Sequence, residues 1–324
     1  MDIEYRAVDL PAGTDDWDGT PLDMPIPEAT LSAARKAKGA LLRTVFSARA
    51  EDGRTAALLG YHRPHTSQIK LTAAGGVSGL LPGLIAYAEE RAAAQGLVVK
   101  TELGDAAGPE RKAAEDALRQ EHYRQTTDFT CGAVATLDAL RVLGLRGPIT
   151  RADEIALWRE ATMAVACDPY GLALACRRRG STPTVFATKP GCVLDPNSGV
   201  GILDAALARD TQLAFEREAH KAGIPVVIGP LGVADIAREL DRGGAVVVLV
   251  DETPWHAERC PHWVTVTRHE GGRFFIDDPW CDLEFGESAI DAHDLVVDAA
   301  DLELVSSYDG VRSMLAFHAP KAAR

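Results

Sequence analysis

The sequence has no long hydrophobic run and no excess of positive charge. Its longest continuous apolar run, Ala245–Val250, has the length of a strand, whereas a membrane span needs roughly 18 residues. Lysine and arginine number 34 against 47 acidic residues, a net charge of −13, and no basic face suited to nucleic acid is evident. We therefore expect neither membrane nor nucleic acid as a partner.

The sequence also lacks a secretory signal, because its N-terminus has no basic region followed by an apolar one; we expect a cytoplasmic protein. The six cysteines are scattered and lack the usual paired spacing, so we expect reduced thiols. A hydrophobic fraction of 46% and a charged fraction of 25% are typical of a globular protein. The 324 residues are enough for two domains.

The most informative segment that is present begins at Gln125 and ends at Cys131, directly before an apolar-periodic stretch at 132–143. This pattern predicts a glutamine one loop ahead of a cysteine in the first turn of a helix. The unpaired N–H groups and positive dipole end of a helix N-terminus favour the thiolate, which is the reactive form of cysteine. A cysteine among small apolar residues is by itself more often a core residue, so a nucleophile also requires a base.

A histidine and an aspartate flank a predicted β-hairpin in the C-terminal half. His262 directly precedes the strand-like run 263–267, and Asp278 directly follows the run 273–277. The glycines between the two runs predict a tight reversal. We expect a three-residue loop centred on Glu270, which produces three cross-strand pairs: Val266 with Phe274, Val264 with Ile276, and His262 with Asp278.

This register places the apolar side chains on one face of the hairpin and brings the imidazole and carboxylate Cβ atoms to roughly 5 Å. A carboxylate at that range can accept a hydrogen bond from the ring and fix its tautomer. Asp277 falls on the opposite face and is the poorer candidate. A two-residue turn at 270–271 would slip the register by one and is the disfavoured alternative.

Several stretches resemble the papain-like cysteine peptidases, and most closely their C39-like branch. The stretches are 123–132 (Tyr-Arg-Gln-Thr-Thr-Asp-Phe-Thr-Cys-Gly), 168–174 (Asp-Pro-Tyr-Gly-Leu-Ala-Leu), 261–264 (Pro-His-Trp-Val) and 277–279 (Asp-Asp-Pro). The resemblance covers roughly residues 120–280. It implies that Cys131 is the nucleophile, His262 the general base and acid, Asp278 the residue that orients the histidine, and Gln125 the oxyanion-hole residue. It implies no metal and no cofactor.

The sequence departs from the C39 domains of peptide exporters, which cleave leader peptides. It has no transmembrane segment and no Gly-x4-Gly-Lys-Ser/Thr nucleotide-binding loop, so leader-peptide specificity is not carried over. A charged, helix-like insertion at 207–222 lengthens the stretch between cysteine and histidine. Asp168 and Tyr170 are expected either to line a substrate cleft or, for Asp168, to cap a helix that starts at Pro169.

Residues 1–119 weakly resemble the Gcn5-related N-acetyltransferase fold, in which a hairpin and a strand precede a glycine-rich turn, a helix and another strand. The turn at 75–83 lacks the leading Gln or Arg and the glycine spacing with which that family holds the pyrophosphate of coenzyme A. We expect a degenerate α/β acetyltransferase-like domain at 1–119. We expect a papain-fold peptidase domain at 120–324, with helices first and antiparallel strands after, which makes the fold class α+β.

The sequence therefore predicts a cysteine peptidase that cleaves a peptide or peptide-like amide through a thioester. An amine could resolve the same thioester, which would make the protein a peptide ligase or transamidase of peptide natural-product biosynthesis. A catalytically inactive binding module and a bifunctional N-acetyltransferase are also compatible with the pattern. So is a zinc-binding module, with four candidate ligands: His256, Cys260, His262 and Cys281. The sequence does not indicate the oligomeric state.

Overall fold

A computed structural model describes residues 2–10, 26–36, 41–163, 165–198 and 202–319. In chain order, its strands are β1 (Ile3–Leu10), β2 (Leu42–Ala50), β3 (Thr55–His62), β4 (Gln68–Gly76), β5 (Val98–Glu102), β6 (Thr184–Ala187), β7 (Val226–Ile228), β8 (Gly244–Asp251), β9 (Pro261–Glu270), β10 (Arg273–Asp277), β11 (Leu295–Asp298) and β12 (Ser313–His318). Its helices are α1 (Glu28–Lys36), α2 (Leu81–Ala94), α3 (Pro109–Glu121), α4 (Cys131–Val142), α5 (Arg151–Ala161), α6 (Pro169–Arg178), α7 (Ala205–Lys221), α8 (Val233–Asp241), α9 (Thr253–His256), α10 (Ala289–Ala292) and α11 (Ala299–Val305).

The chain divides into two compact units, which we call the first and the second unit. The first unit consists of Met1–His122, Pro254–Ala257 and Cys281–Val296. The second unit consists of Tyr123–Thr253, Glu258–Trp280 and Val297–Arg324. Within the ranges given above, no helix is both long enough and apolar enough to cross a bilayer.

The first unit is built on a five-stranded sheet with the order β1-β2-β3-β4-β5. Neighbouring strands are antiparallel except for the parallel pair of β4 and β5. The apolar core between this sheet and α2 includes Phe46, Leu58 and Leu84. The expected order of a hairpin, a strand, a helix and another strand is present as β2, β3, β4, α2 and β5, whereas β1 and α1 were not expected from the sequence.

Buried charges attach the late segment Cys281–Val296 to the sheet of the first unit. The Nζ atom of Lys70 on β4 lies 2.6 Å from Asp291 and 3.0 Å from Glu102. Burial opposes the charge on Lys70, but the two carboxylates outweigh it and raise the pKa of the ammonium group. Removing one partner of such a buried ion pair leaves the other charge uncompensated and strongly destabilises the fold. The pair therefore holds the segment Cys281–Val296 on the sheet of the first unit.

The second unit is built on a seven-stranded sheet with the order β11-β10-β9-β8-β12-β6-β7. The pairs from β10 to β6 are antiparallel, and β6 and β7 are parallel. Three helices, α4 to α6, precede this sheet in the sequence, so the expected α+β class is confirmed. The insertion expected at 207–222 is α7, and the late strand β12 lies between β8 and β6.

Helix α4 is the central helix of the second unit and is buried over 131–140. Most residues in this buried stretch are apolar, which is typical of a core helix, and α4 packs on β8 and β9. A Cβ atom on Gly132 would lie 2.9 Å from the Cβ atom of Cys167 and 3.1 Å from Cδ1 of Trp263 on β9. The hydroxyl of Thr265 on β9 also donates to a backbone carbonyl of α4 at 2.8 Å. These contacts hold the first turn of α4 close to β9.

The hairpin of β9 and β10 turns through two glycines, so the expected three-residue loop centred on Glu270 is wrong. Gly271 and Gly272 have φ values of 58° and 83°. Positive φ at both central residues is typical of a type I′ turn, whose twist matches that of the strands. Glu270 therefore pairs with Arg273.

The expected register of this hairpin is also wrong, because the turn at Gly271 and Gly272 displaces it and an extra residue in β9 reverses only part of that displacement. The register shifts just before Ile276, which pairs with Val266 instead of Val264. If this ladder continued past the end of β10, Asp278 would lie opposite Val264 instead of His262. The bulge compensates for the two-residue turn by keeping apolar side chains of both strands buried.

We predict that Gly132→Ala lowers the free energy of unfolding by about 1–3 kcal/mol, because the added methyl group overpacks the contact with Cys167 and Trp263. Chemical denaturation of the purified protein measures the change. Gly147→Ala is the matched control, since a Cβ atom there meets nothing within 4 Å. Equal stability of the Gly132 variant and the unchanged protein would contradict the packing argument.

Candidate active site

His262 and Asp278 form a buried hydrogen-bonded pair. His262 is the second residue of β9 and lies opposite Val250 of β8. Its Nε2 atom is 2.8 Å from Oδ1 of Asp278, which also accepts the backbone N–H of Trp280 at 2.8 Å. The contact expected from the sequence is therefore present, but the loop after β10 makes it and not a cross-strand pair. Because Nε2 is bound to the carboxylate, Nδ1 is the ring nitrogen left for a thiol.

A second carboxylate, which was not expected from the sequence, lies beside the same ring. Oε1 of Glu252 is 3.6 Å from Nε2 of His262, and both side chains are buried. Glu252 directly follows β8, and its backbone N–H donates to the carbonyl of Cys260 at 3.0 Å. The signal that could have found it is an acidic residue at the end of a buried strand that neighbours β9.

The charges around His262 favour its protonated form. Burial of the ring lowers its pKa, but the charges of Glu252, Asp278 and Cys131 outweigh burial and raise the pKa of His262 well above its ordinary value. Glu252 follows β8, Asp278 follows β10 and Cys131 begins α4, so acidic groups face the ring from three elements. These groups together shift the ring towards its imidazolium form.

Cys131 is the first residue of α4, as the sequence predicted, and its side chain is buried. The residue before it, Thr130, makes no side-chain hydrogen bond to the helix. The first-turn amides are consequently not capped by a hydroxyl group. A negative charge on the sulfur of Cys131 would favour the imidazolium form of His262.

Burial keeps other thiols of the second unit in their neutral form. It raises the pKa of Cys167, raises that of Cys176 to about 12, raises that of Cys192, and raises that of Cys260 to about 11. The negative charge of Cys131 also contributes at Cys167 and Cys260. A neutral thiol is a poor nucleophile, so these four cysteines are suited to packing.

Gln125 lies buried in the loop before α4. Its backbone N–H donates to the carbonyl of Pro279 at 2.8 Å, which attaches this loop to the residue that follows Asp278. Its side-chain Nε2 donates to the carbonyl of Thr127 at 2.8 Å, and the amide has a second N–H to offer. The structure thus brings the four residues named from the sequence into one region of the second unit.

Two further acids named from the sequence have separate contacts. Asp277 lies 3.6 Å from Arg141 of α4 and close to Asp138, whose pKa rises to about 7 through burial and the charge of Asp277. Asp168 caps α6 by accepting two backbone N–H groups at 2.8 and 3.0 Å. Burial raises the pKa of Asp168 to about 7. The capping role expected for Asp168 is confirmed.

The four residues considered as zinc ligands, His256, Cys260, His262 and Cys281, do not form one ligand set. Among the residues that the structure describes, the potential ligands that lie within 4.8 Å of one another are Glu252, His262 and Asp278. His256 instead contacts Glu287 at 3.2 Å in the first unit. A cation held by the observed group would have to displace the proton on Nε2 of His262, which the Asp278 carboxylate binds.

The second unit is a mixed α+β unit in which a cysteine begins the central helix and a histidine lies on the adjoining sheet, and this is consistent with a C39-like peptidase fold. A sequence model of the Peptidase_C39 like family matches residues 120–317. The match covers more than half of the 324 residues, and the chain belongs to this family. The resemblance of residues 1–119 to acetyltransferases stays a prediction.

Comparison with solved structures finds a proposed C39-like peptidase from Bacillus anthracis. The two chains are 13% identical, and the match covers 61% of this chain and 94% of the other, with a TM-score of 0.32. A likeness this distant adds nothing to the family assignment. No curated protein matches the sequence.

We predict that Glu252→Gln lowers the pKa of His262. A carboxylate near an imidazole stabilises the protonated ring, so its removal lets the ring lose its proton at lower pH; a charge at this range typically moves a pKa by about 1–3. NMR titration of the imidazole of His262 measures the change. Glu258→Gln removes an exposed carboxylate of the following loop as the control, and an unchanged titration in the Glu252 variant would contradict the assignment.

Proposed function

We propose that the second unit is a cysteine peptidase that cleaves a peptide or amide bond through a thioester intermediate. The observation that carries this proposal is the buried 2.8 Å hydrogen bond between His262 and Asp278, on a ring whose other nitrogen remains for the thiol of Cys131. Membership in the Peptidase_C39 like family supports it. The cysteine at the start of a buried helix is the complementary nucleophile.

In the proposed first step, Nδ1 of His262 takes the proton of Cys131, and the sulfur attacks the carbonyl carbon of the scissile amide. The negative oxygen that develops is held by the side-chain N–H of Gln125 and the backbone N–H of Cys131. Asp278 orients the ring through Nε2. The imidazolium then donates its proton to the leaving amine, the C–N bond breaks, and the acyl group remains on sulfur as a thioester.

In the proposed second step, His262 must be neutral in order to take a proton from water. Water then attacks the thioester carbonyl, the C–S bond breaks, and the products are a carboxylic acid and the free thiol. The carboxylates of Glu252 and Asp278 oppose this step because they favour the imidazolium. We therefore expect deacylation to slow as the pH falls and the ring gains its proton.

An amine acceptor is the alternative outcome of the same intermediate. If water is activated slowly, a bound amine of a second peptide has time to attack the thioester, which would make the protein a ligase or transamidase. The charge arrangement around His262 is the observation that favours this second candidate. The acyl product distinguishes the two reactions.

We infer a structural role for the first unit, as a degenerate acetyltransferase-like domain. Its glycine-rich turn lacks the leading Gln or Arg that would bind a pyrophosphate. A Cβ atom on Gly75 would lie 2.6 Å from the Cβ atom of Pro27, so the residue before α1 already covers this glycine. The backbone at Gly75 therefore has little room to meet a phosphate.

Mass spectrometry tests the proposed intermediate. After incubation with a peptide mixture, we expect an acyl adduct on Cys131 that hydroxylamine removes, because hydroxylamine cleaves thioesters. Cys131→Ala should fold and carry no adduct, and Cys192→Ala, at a half-buried thiol, should retain it. Amide cleavage that survives in the Cys131 variant would refute the proposal. The product identifies the acceptor of the acyl group, since water gives a carboxylate and an amine gives an amide.

We predict that Asp278→Asn lowers turnover by on the order of 10²-fold or more, because a neutral amide neither stabilises the imidazolium nor holds the same tautomer. Asp277→Asn is the adjacent control and should change turnover only slightly, since Asp277 contacts Arg141 and Asp138. Steady-state hydrolysis of p-nitrophenyl acetate measures both variants. The reverse order of effects would overturn the assignment of Asp278.

A further inference from the structure

Glu154 is a buried carboxylate of α5 whose hydrogen bonds all come from the segment that carries Gln125 and ends at the start of α4. It has no exposed surface. Oε1 accepts the backbone N–H of Thr126 at 2.8 Å and the hydroxyl of Thr130. Oε2 accepts the hydroxyls of Tyr123 at 2.8 Å and Thr126 at 3.0 Å. One carboxylate thus holds both ends of the loop around Gln125.

These bonds reach the side chain of Gln125 through a short relay. The hydroxyls of Thr127 and Thr130 are 2.9 Å apart. Because Thr130 gives its one proton to Glu154, the hydroxyl of Thr127 is the donor of this pair. The carbonyl of Thr127 in turn accepts the amide of Gln125 at 2.8 Å. Glu154 therefore fixes the residue to which the Gln125 amide is attached.

The same contact explains why the first turn of α4 is open. Threonine before a helix commonly uses its side-chain oxygen to accept a first-turn N–H group. Thr130 makes no such bond, and its hydroxyl is instead directed to Glu154. The carboxylate thereby keeps a hydroxyl away from the backbone amides that begin at Cys131.

We propose that Glu154 is a positioning residue of the oxyanion hole, which acts on the reaction through Gln125 and through the uncapped first turn of α4. The inference rests on the proposed peptidase function and deepens it. The sequence contains a signal for this residue, since Glu154 shares the buried face of α5 with Leu157 and Ala161. An acid at helical spacing with buried apolar residues needs internal donors.

The test is the burst of p-nitrophenolate from p-nitrophenyl acetate, in which the sulfur of Cys131 displaces p-nitrophenolate and becomes acetylated. Loss of an oxyanion donor typically costs about 10²–10³-fold, so we expect about 10²-fold from Gln125→Ala and at least about tenfold from Glu154→Gln. The double variant should be slower than Gln125→Ala alone by less than the full loss that Glu154→Gln causes in the unchanged protein, because part of that loss acts through Gln125 and coupled residues are not additive. Additive losses would overturn the proposal.

Alkylation of Cys131 by iodoacetamide provides a readout that does not use an oxyanion hole. We expect Glu154→Gln to change this rate far less than the burst rate, whereas equal losses in both would indicate only a disturbed helix and would overturn the proposal. Glu115→Gln is the matched control, since buried Glu115 accepts the amides of Leu103 and Gly104 in the first unit. That variant should keep the burst rate.

If Glu154→Gln does not fold, two single-hydroxyl variants make the same comparison. Thr130→Val breaks the relay to Thr127 and should slow the burst, whereas Tyr123→Phe leaves the relay intact and should slow it less. Equal effects would overturn the proposal. Cys131→Ala separates the two hypotheses: a burst that survives there refutes the peptidase function, whereas loss of the burst there with an unchanged Glu154 variant refutes only the positioning role.

Discussion

An imidazole ring buried against two carboxylates is the constraint on which the site depends. Removing a charge from water costs several kcal/mol, and only close opposite charges and hydrogen bonds compensate for that cost. His262 meets this condition through Asp278 at 2.8 Å and Glu252 at 3.6 Å. The two carboxylates thereby favour the charged form of the ring, and Nδ1 is the ring nitrogen left for the sulfur of Cys131. The loops after β8 and β10 must then have conformations that bring these acids together.

The nucleophile side of the site depends on close packing and on one buried acid. Gly132 lets α4 approach β9, and the backbone bond between Gln125 and Pro279 attaches the preceding loop to the segment after β10. Glu154 also holds that loop, because its carboxylate accepts the backbone N–H of Thr126. The positions of the cysteine and the histidine therefore both depend on how α4, β9 and the loop that carries Gln125 are held together in the second unit. This shared support gives a physical reason for a short, polar loop ahead of a helix that is buried over 131–140.

Local patterns carried much of the information in this sequence. Periodicity and end signals that involve neighbouring residues account for four elements. These are the buried α4, the strands around 55–62 and 245–250, and the helix that Asp168 caps. The hairpin register did not follow, because the choice between a two-residue and a three-residue loop was settled by two adjacent positive φ values. The compensating bulge in β9 has no clear sequence signal. The expected contact between His262 and Asp278 nevertheless forms. Asp278 lies in the loop after β10, and a loop backbone can bring a side chain to the ring without strand pairing.

The sequence by itself determined the family, the α+β class and the identity of the candidate nucleophile, base, orienting acid and oxyanion residue. Those features depend on which residue types occur within short segments, and this information is present in the sequence without knowledge of the tertiary structure. Only the tertiary structure decided that Glu252 lies beside the ring, that Glu154 supports the Gln125 loop, and that Cys281–Val296 belongs to the first unit. Each of these joins residues that are distant in the chain, and the partner of a buried charge is chosen by the packing of whole elements.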